Sequence, residues 1–231
     1  MSKNLKKRII TSTILLTLLI IFNFSKFFIV GIFIAVLFIS IEFSELLAKV
    51  VGPGLVKHHR YSSSPEKLNL KYLVLQIMSI FYVLIIFGGT TVELHETSGS
   101  PVFFLYILSI CFFSDIGGYI IGKLIGGKKL TKISPNKTIS GSIGSFSFSI
   151  LPLLFFYNYN QYEYFLSLNN LLFCLILSLV CQSGDLFISY LKRKAKIKDT
   201  GFILPGHGGL LDRVDGLIFA VPFAYLLFKF I

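Results

Sequence analysis

Tryptophan is absent from this chain of 231 residues, and only 14% of the residues are charged. A soluble domain carries roughly 25% charged residues, so there is too little charge here to coat a water-facing surface. Cysteine is scarce as well. Cys111, Cys174 and Cys181 lie scattered in apolar stretches with no C-x-x-C pair, which gives neither a disulfide framework nor a zinc site. What is abundant is apolar: 54% of residues are hydrophobic, 25 are Phe, and the mean hydropathy is +0.78. Disorder, a secreted disulfide scaffold and a nucleic-acid module are disfavoured together. The chain reads as an all-α, polytopic integral membrane protein.

A bilayer-spanning helix needs about 20 apolar residues. Spans are expected near 9–25, 27–48, 70–88, 101–122, 139–157, 168–190 and 210–231, about seven in all. Only Asn23-Phe24-Ser25-Lys26 separates the first two, which implies a tight hairpin or one broken element; Pro222 interrupts the last. Residues 1–100 read as N-terminal anchoring helices, and 101–231 as a catalytic membrane region with polar loops at 123–138 and 192–213. The basic start at Lys3, Lys6, Lys7 and Arg8 has no small-residue cleavage site after it, so the first span is expected to be a retained anchor.

The net charge of +11 resolves once the positions are read. Lys and Arg of the N-terminus, 49–71, 123–138 and 192–213 account for all but Lys26 and Lys229, whereas Glu93, Glu96 and Glu163 fall in the alternate loops. The positive-inside rule then puts the N-terminus and the basic loops in the cytoplasm and the C-terminus outside.

Carboxylates in or beside membrane spans are costly and are functional candidates by default. Asp115 lies near the end of the fourth span, Asp185 near the end of the sixth, and Asp212 and Asp215 open the seventh. All four are expected at cytoplasmic depth, and such a gathering suits a hard cation such as Mg²⁺. The bland reading pairs each Asp with a nearby base, as in Asp212–Arg213 or Lys198–Asp199. Glu42 and Glu45 are weaker candidates, for which a structural partner such as a buried Ser or Lys is the better expectation.

Two loops carry the remaining polar chemistry. Gly122 to Lys129, then Ile133 to Thr138, combine glycine with Lys123, Lys128, Lys129 and Lys137. Glycines let backbone amides approach phosphate, and Lys adds charge. Thr138 or Ser140 is placed to cap the following helix. No Walker A sequence is present. The second loop alternates basic, glycine and acidic residues from Ser189 to Asp215. His207, flanked by glycines, reads equally as a phosphate donor, a proton carrier or a turn residue.

The Ser189–Asp215 stretch fills every defined position of S-x-x-K-R-x-x-x-x-K-D-x-G followed by P-G-H-G-G-x-x-D-R-x-D. It resembles the signature of the phosphatidate cytidylyltransferases, the CDP-diacylglycerol synthases. Ser114-Asp115-Ile116-Gly117-Gly118-Tyr119, Ile133-Ser134-Pro135-Asn136-Lys137-Thr138 and Gln182-Ser183-Gly184-Asp185 resemble that family in the same order, so the likeness covers roughly 101–215. Asn136 and Ser140 depart from the Lys and Glu usual there, and the chain is short for the family.

The resemblance implies a Mg²⁺-dependent transfer from CTP to phosphatidate in the cytoplasmic membrane, with phosphates gripped by basic residues and no role for nucleic acid. It implies metal ligation by Asp185 and Asp215, with Asp115 and Asp212 as further ligands or as supports behind the ligands, and places Lys198 with Asp185, Asp212 and Asp215 in catalysis. Ser114, Lys128, Lys129, Lys137, Thr138, Lys192, Arg193, His207 and Arg213 become the expected phosphate-binding set, and a homodimer the expected assembly. The competing readings are a CTP-dependent polyprenol or phytol kinase and, from another class, an ion-coupled transporter.

Overall fold

In lipid, a backbone segment that satisfies its own hydrogen bonds must be helical or part of a closed barrel, and long apolar runs bounded by charge satisfy that demand as helices. The computed structural model describes residues 3–51, 70–97, 101–156, 167–204 and 208–230. Lys57, Arg60, Lys67, Glu163 and His207 lie outside the described residues. The elements are α1 (Lys3–Asn23), α2 (Phe28–Val51), α3 (Leu70–Phe81), a π-helical stretch (Tyr82–Gly88), α4 (Gly89–Thr97), α5 (Pro101–Ile125), α6 (Ile139–Ser149), α7 (Leu151–Phe156), α8 (Leu168–Lys194), α9 (Leu211–Val214) and α10 (Leu217–Phe230). Among the described residues there is no β-strand, only the isolated bridges Lys129–Thr138 and Leu204–Gly208. The all-α membrane class expected from composition is the one found.

Among the described residues, five helices are long and apolar enough to cross a membrane: Phe28–Val51, Leu73–Glu96, Pro101–Ile125, Ile139–Phe156 and Leu168–Lys194. The expected seven shrinks by that measure because Ile10–Asn23 and Leu217–Lys229 are shorter apolar helices. At about 1.5 Å of rise per residue, the 14 residues of α10 fall short of a hydrocarbon core about 30 Å thick. The last expected span is split, since α9 stops at Val214 and α10 begins at Leu217.

The chain divides into two compact units, one made of Met1–Gly89 and Leu191–Val214, the other of Thr90–Tyr190 and Asp215–Ile231. In the first unit, α1 and α2 form the tight hairpin that the four-residue spacer suggested. Ser25 Oγ accepts from the Phe27 amide at 3.2 Å and turns the chain. Gly31 keeps α2 close to α1, because a Cβ there would lie 2.7 Å from the Phe22 ring. Val36, Ile39, Phe43 and Leu46 of α2 are buried, as are Val83 and Phe87 of the π-helical stretch. The 191–214 segment begins as the last turn of α8. Ile197 N donates to Lys192 O and Lys196 N to Arg193 O, both at 3.0 Å, with Lys196 at φ 58. That is a Schellman stop with lysine where glycine is usual.

In the second unit, α5 and α6 approach closely through Gly117, Gly118 and Gly122 on one helix and Gly141 and Gly144 on the other. Small residues are what allow backbones to pack against each other where lipid supplies no hydrophobic drive. Around that seam the polar atoms are matched. Ser114 Oγ lies 2.7 Å from Ser178 Oγ, Gln182 Nε2 donates to Ser178 Oγ at 3.2 Å, and Ser142 Oγ donates to Gln182 Oε1 at 2.6 Å. An aromatic cluster fills the far end: Phe103 sits 5.0 Å from Phe228, and Tyr106 sits 5.5 Å from Phe156, centroid to centroid.

Candidate active site

The polar residues singled out by sequence fall into two clusters, one in each unit. In the second unit, the α5–α6 connection folds back on itself. Leu130 N donates to Lys137 O at 2.8 Å, and Ile139 N donates to Lys128 O at 3.0 Å. Gly126 and Gly127 carry the chain out of α5 into the hairpin with φ of 64 and 101, in the left-handed region that glycine enters without strain. Thr138 caps α6: its backbone is extended, and Oγ1 accepts from the Gly141 amide at 3.1 Å. Ser140 Oγ donates to the Gly126 carbonyl, so the hairpin is tied at its base.

This hairpin delivers Lys137 to Asp185 of α8, with which it forms a half-buried ion pair through Oδ2. Ser189 Oγ, one turn further along α8, donates to Asp185 Oδ1 at 3.3 Å. Asp115 lies within electrostatic reach of both Asp185 and Lys137. Asp215 is half-buried, with Oδ1 accepting from the Gly216 amide at 3.0 Å. Ser114 is fully buried on Ser178, inside the helix packing. Lys128 and Lys129 are exposed, and an open basin of ≈ 390 Å³ adjoins Lys129, Leu130, Thr131, Lys132 and Pro135.

In the first unit, Asp212 organises the segment that carries the signature. Its Oδ1 accepts from Lys192 Nζ at 2.9 Å, and both side chains are nearly buried. Its Oδ2 accepts from Thr200 N at 2.7 Å, Thr200 Oγ1 at 3.0 Å and Gly209 N at 3.0 Å. Gly208, at φ 81, has no room for a side chain, because a Cβ would stand 2.7 Å from Asp212 Oδ2. Glu42 of α2 is also buried, and it accepts from the amides of Leu210 at 3.1 Å and Leu211 at 2.8 Å and from Thr200 Oγ1 at 3.3 Å. Arg193, Lys198, Asp199 and Arg213 are exposed. Asp212 thus pairs with Lys192, across 20 residues.

Burial by itself would raise the Asp212 pKa. The Lys192 ammonium and the Gly209 and Thr200 amides outweigh that and hold the carboxyl below its ordinary value. A depressed folded-state pKa means that the stabilisation is complete above the unfolded value of about 3.9 and disappears as pH falls through the folded value. Hydrogen exchange at the Thr200 and Gly209 amides, corrected for intrinsic rates, should therefore stay slow from neutrality down to about pH 4. Opening already at pH 6 would contradict this account of the loop.

Mg²⁺ takes oxygen ligands and is commonly held by one or two carboxylates, with water and substrate phosphates completing its shell. Asp115 and Asp185 interact electrostatically and could together offer carboxylate oxygens to such an ion, with Lys137 as the cation it would displace. Among the described residues, no three His, Cys, Asp or Glu side chains gather into a ready-made metal cage. A shell completed by substrate does not require one. Asp212 suits a metal less well, since both of its oxygens already accept from protein donors.

Glu42 has the structural partners expected for it, but they are a threonine hydroxyl and two backbone amides more than 150 residues away, not a buried Ser or Lys. Thr200 was missed altogether, because a threonine between charged residues carries no distinguishing pattern.

Three relatives show what the sequence is similar to. A phosphatidate cytidylyltransferase of Staphylococcus aureus (strain COL) is 41% identical over 156 residues, 65% of this chain and 57% of the relative. One from Staphylococcus haemolyticus (strain JCSC1435) is 43% identical over 129 residues, 54% of this chain and 48% of the relative. One from Rickettsia felis is 37% identical over 191 residues, 79% of this chain and 80% of the relative. The matched region spans about half the length of the staphylococcal relatives. The profile of the Cytidylyltransferase family, in contrast, is matched along residues 1–231. The chain therefore belongs to the cytidylyltransferase family.

Proposed function

We propose that this protein transfers the cytidylyl group of CTP to phosphatidate, forming CDP-diacylglycerol and releasing pyrophosphate at the inner membrane. The family match over the whole chain carries the reading, supported by relatives named for that activity. In this reaction a phosphatidate phosphate oxygen attacks the α-phosphorus of CTP and the α–β anhydride bond breaks. The attacking oxygen is already anionic, so no serine, cysteine or activated histidine is required as nucleophile. The protein's task is to bring two anions together and to stabilise the charge that accumulates on the leaving pyrophosphate.

Mg²⁺, held by Asp185 with Asp115 and Asp215, would supply charge neutralisation at the phosphates. Lys137, on the returning arm of the hairpin, would exchange its carboxylate partner for a phosphate, with exposed Lys128 and Lys129 on the opposite arm. Lys198, Arg193 and Arg213 supply further cations for phosphate, and His207 and Thr138 further donors. Lys192 and Asp212 hold the signature segment. The basic loops face the cytoplasm in this reading, where CTP arrives, and the diacyl tails remain in the leaflet.

The test uses purified protein in detergent with phosphatidate and Mg²⁺. CTP labelled at the α-phosphate should place label in a lipid product and release unlabelled pyrophosphate, and EDTA should stop both. Lipid labelled only from γ-labelled CTP would replace the reading with a lipid kinase.

A further inference from the structure

We infer that Glu42 is a positioning residue for the signature segment: from α2, it clamps both ends of the 199–212 loop and sets the place of the Asp212–Lys192 pair through Thr200. The loop contacts stand on their own, and the link to turnover rests on the proposed cytidylyl transfer. Glu42 is 4% exposed within the apolar helix Phe28–Val51. A buried carboxylate is tolerated only when donors surround it. Among the described residues its donors come from one loop, 158 to 169 residues further along the chain.

The arrangement is a clamp in geometric terms. Thr200 is gripped near the start of the loop and Leu210 and Leu211 at its end, all by one carboxylate. The loop also makes room for the group at both places. A Cβ at Gly201 would lie 2.6 Å from Glu42 Oε1, and one at Gly209 would overlap Glu42 Oε2 and Thr200 Oγ1. Thr200 connects the clamp to the ion pair, because its hydroxyl lies 3.3 Å from Glu42 Oε2 and 3.0 Å from Asp212 Oδ2. A hydroxyl has a single proton, so these two carboxylates share one donor. Loss of either changes what the other receives. Glu45, one turn away and exposed, makes no comparable claim on the loop.

Glu42→Gln keeps the size of the side chain but turns one acceptor into a donor facing a backbone N–H. Full-length protein in detergent would be compared with Glu42→Gln and Glu45→Gln by hydrogen–deuterium exchange and by steady-state kinetics. In Glu42→Gln, exchange should rise at least tenfold at the Thr200, Gly209, Leu210 and Leu211 amides and stay unchanged in α2 and α3. The kcat should fall at least tenfold, with KM for CTP moving less than threefold, and Glu45→Gln should match the wild type. Uniform deprotection of α2, α3 and the loop, or an unchanged loop, would overturn the assignment. Should Glu42→Gln fail to fold, Thr200→Val removes the shared hydroxyl and should deprotect the same loop amides, whereas unchanged loop amides would count against the clamp. Wild-type protein that lacks cytidylyl transfer but shows the local exchange response would refute the enzymatic reading and leave the clamp standing.

Discussion

Asp185→Asn is expected to lower cytidylyl transfer by on the order of 10³-fold while the protein still inserts into membranes and elutes as folded material. Asn has nearly the same shape as Asp, so α8 should be unaffected and Ser189 retains an acceptor. What disappears is the charge. Lys137 loses its partner and the Asp115–Asp185 pair can no longer offer two anionic carboxylates to Mg²⁺. In the proposed reaction the metal and the leaving group would meet at this charge, so the defect should appear in kcat and should not be relieved by raising CTP. Raising Mg²⁺ from millimolar to tens of millimolar is the sharper check. A partial return of activity would mark Asp185 as a ligand, and activity at the wild-type rate under all conditions would remove it from the metal site.

The largest expected structural effect lies elsewhere. Gly144→Val in α6 should abolish folded protein or lower its stability by about 3 kcal/mol or more. A Cβ at 144 would stand 2.5 Å from Ile121 Cβ and 2.7 Å from the Gly117 carbonyl. These are stem and backbone atoms of α5 and cannot swing aside like the tip of a long side chain. The two helices would have to separate, which would break the Ser142–Gln182 contact and draw the α6 cap at Thr138 away from its place. Gly89→Ala is the matching control. Gly89 has helical dihedrals and open space where its Cβ would go, so this substitution should be neutral or stabilising by about 0.5–1 kcal/mol. Thermal unfolding in detergent followed by fluorescent labelling of Cys111, Cys174 and Cys181, all buried in the folded protein, would measure both.

The pattern of apolar runs was enough to find the helices, because burial in lipid imposes a simple rule on composition. Their ends were less legible. α8 continues to Lys194 although hydropathy fails sooner, since a helix end depends on capping bonds such as those around Lys196, which composition does not register. The break at Asp215-Gly216 was also hidden. It depends on close contact between Gly216 and Cys181, where a Cβ would lie 2.6 Å from the sulfur. In the site, individual carboxylates stood out because charge near lipid is rare. Their partners did not. Lys137 with Asp185 and Lys192 with Asp212 are separated by 48 and 20 residues, respectively, and spacing along a chain carries no information about which cation folds back to which anion. Glu42 and Thr200 show the same limit more strongly.

The turn at Gly126 and Gly127 has a consequence that concerns handedness more than size. No atom lies within 4 Å of a Cβ built at either residue, yet their φ values of 64 and 101 are ones that L side chains avoid. An L-alanine there would cost about 1–2 kcal/mol for its chirality alone. A D-alanine, whose preferred dihedrals are the mirror image, would meet no such cost. Semisynthesis with D-alanine at Gly126 or Gly127 should therefore leave the hairpin and its lysine in place, making this loop selective for a stereochemistry that ribosomal synthesis meets at least cost with glycine.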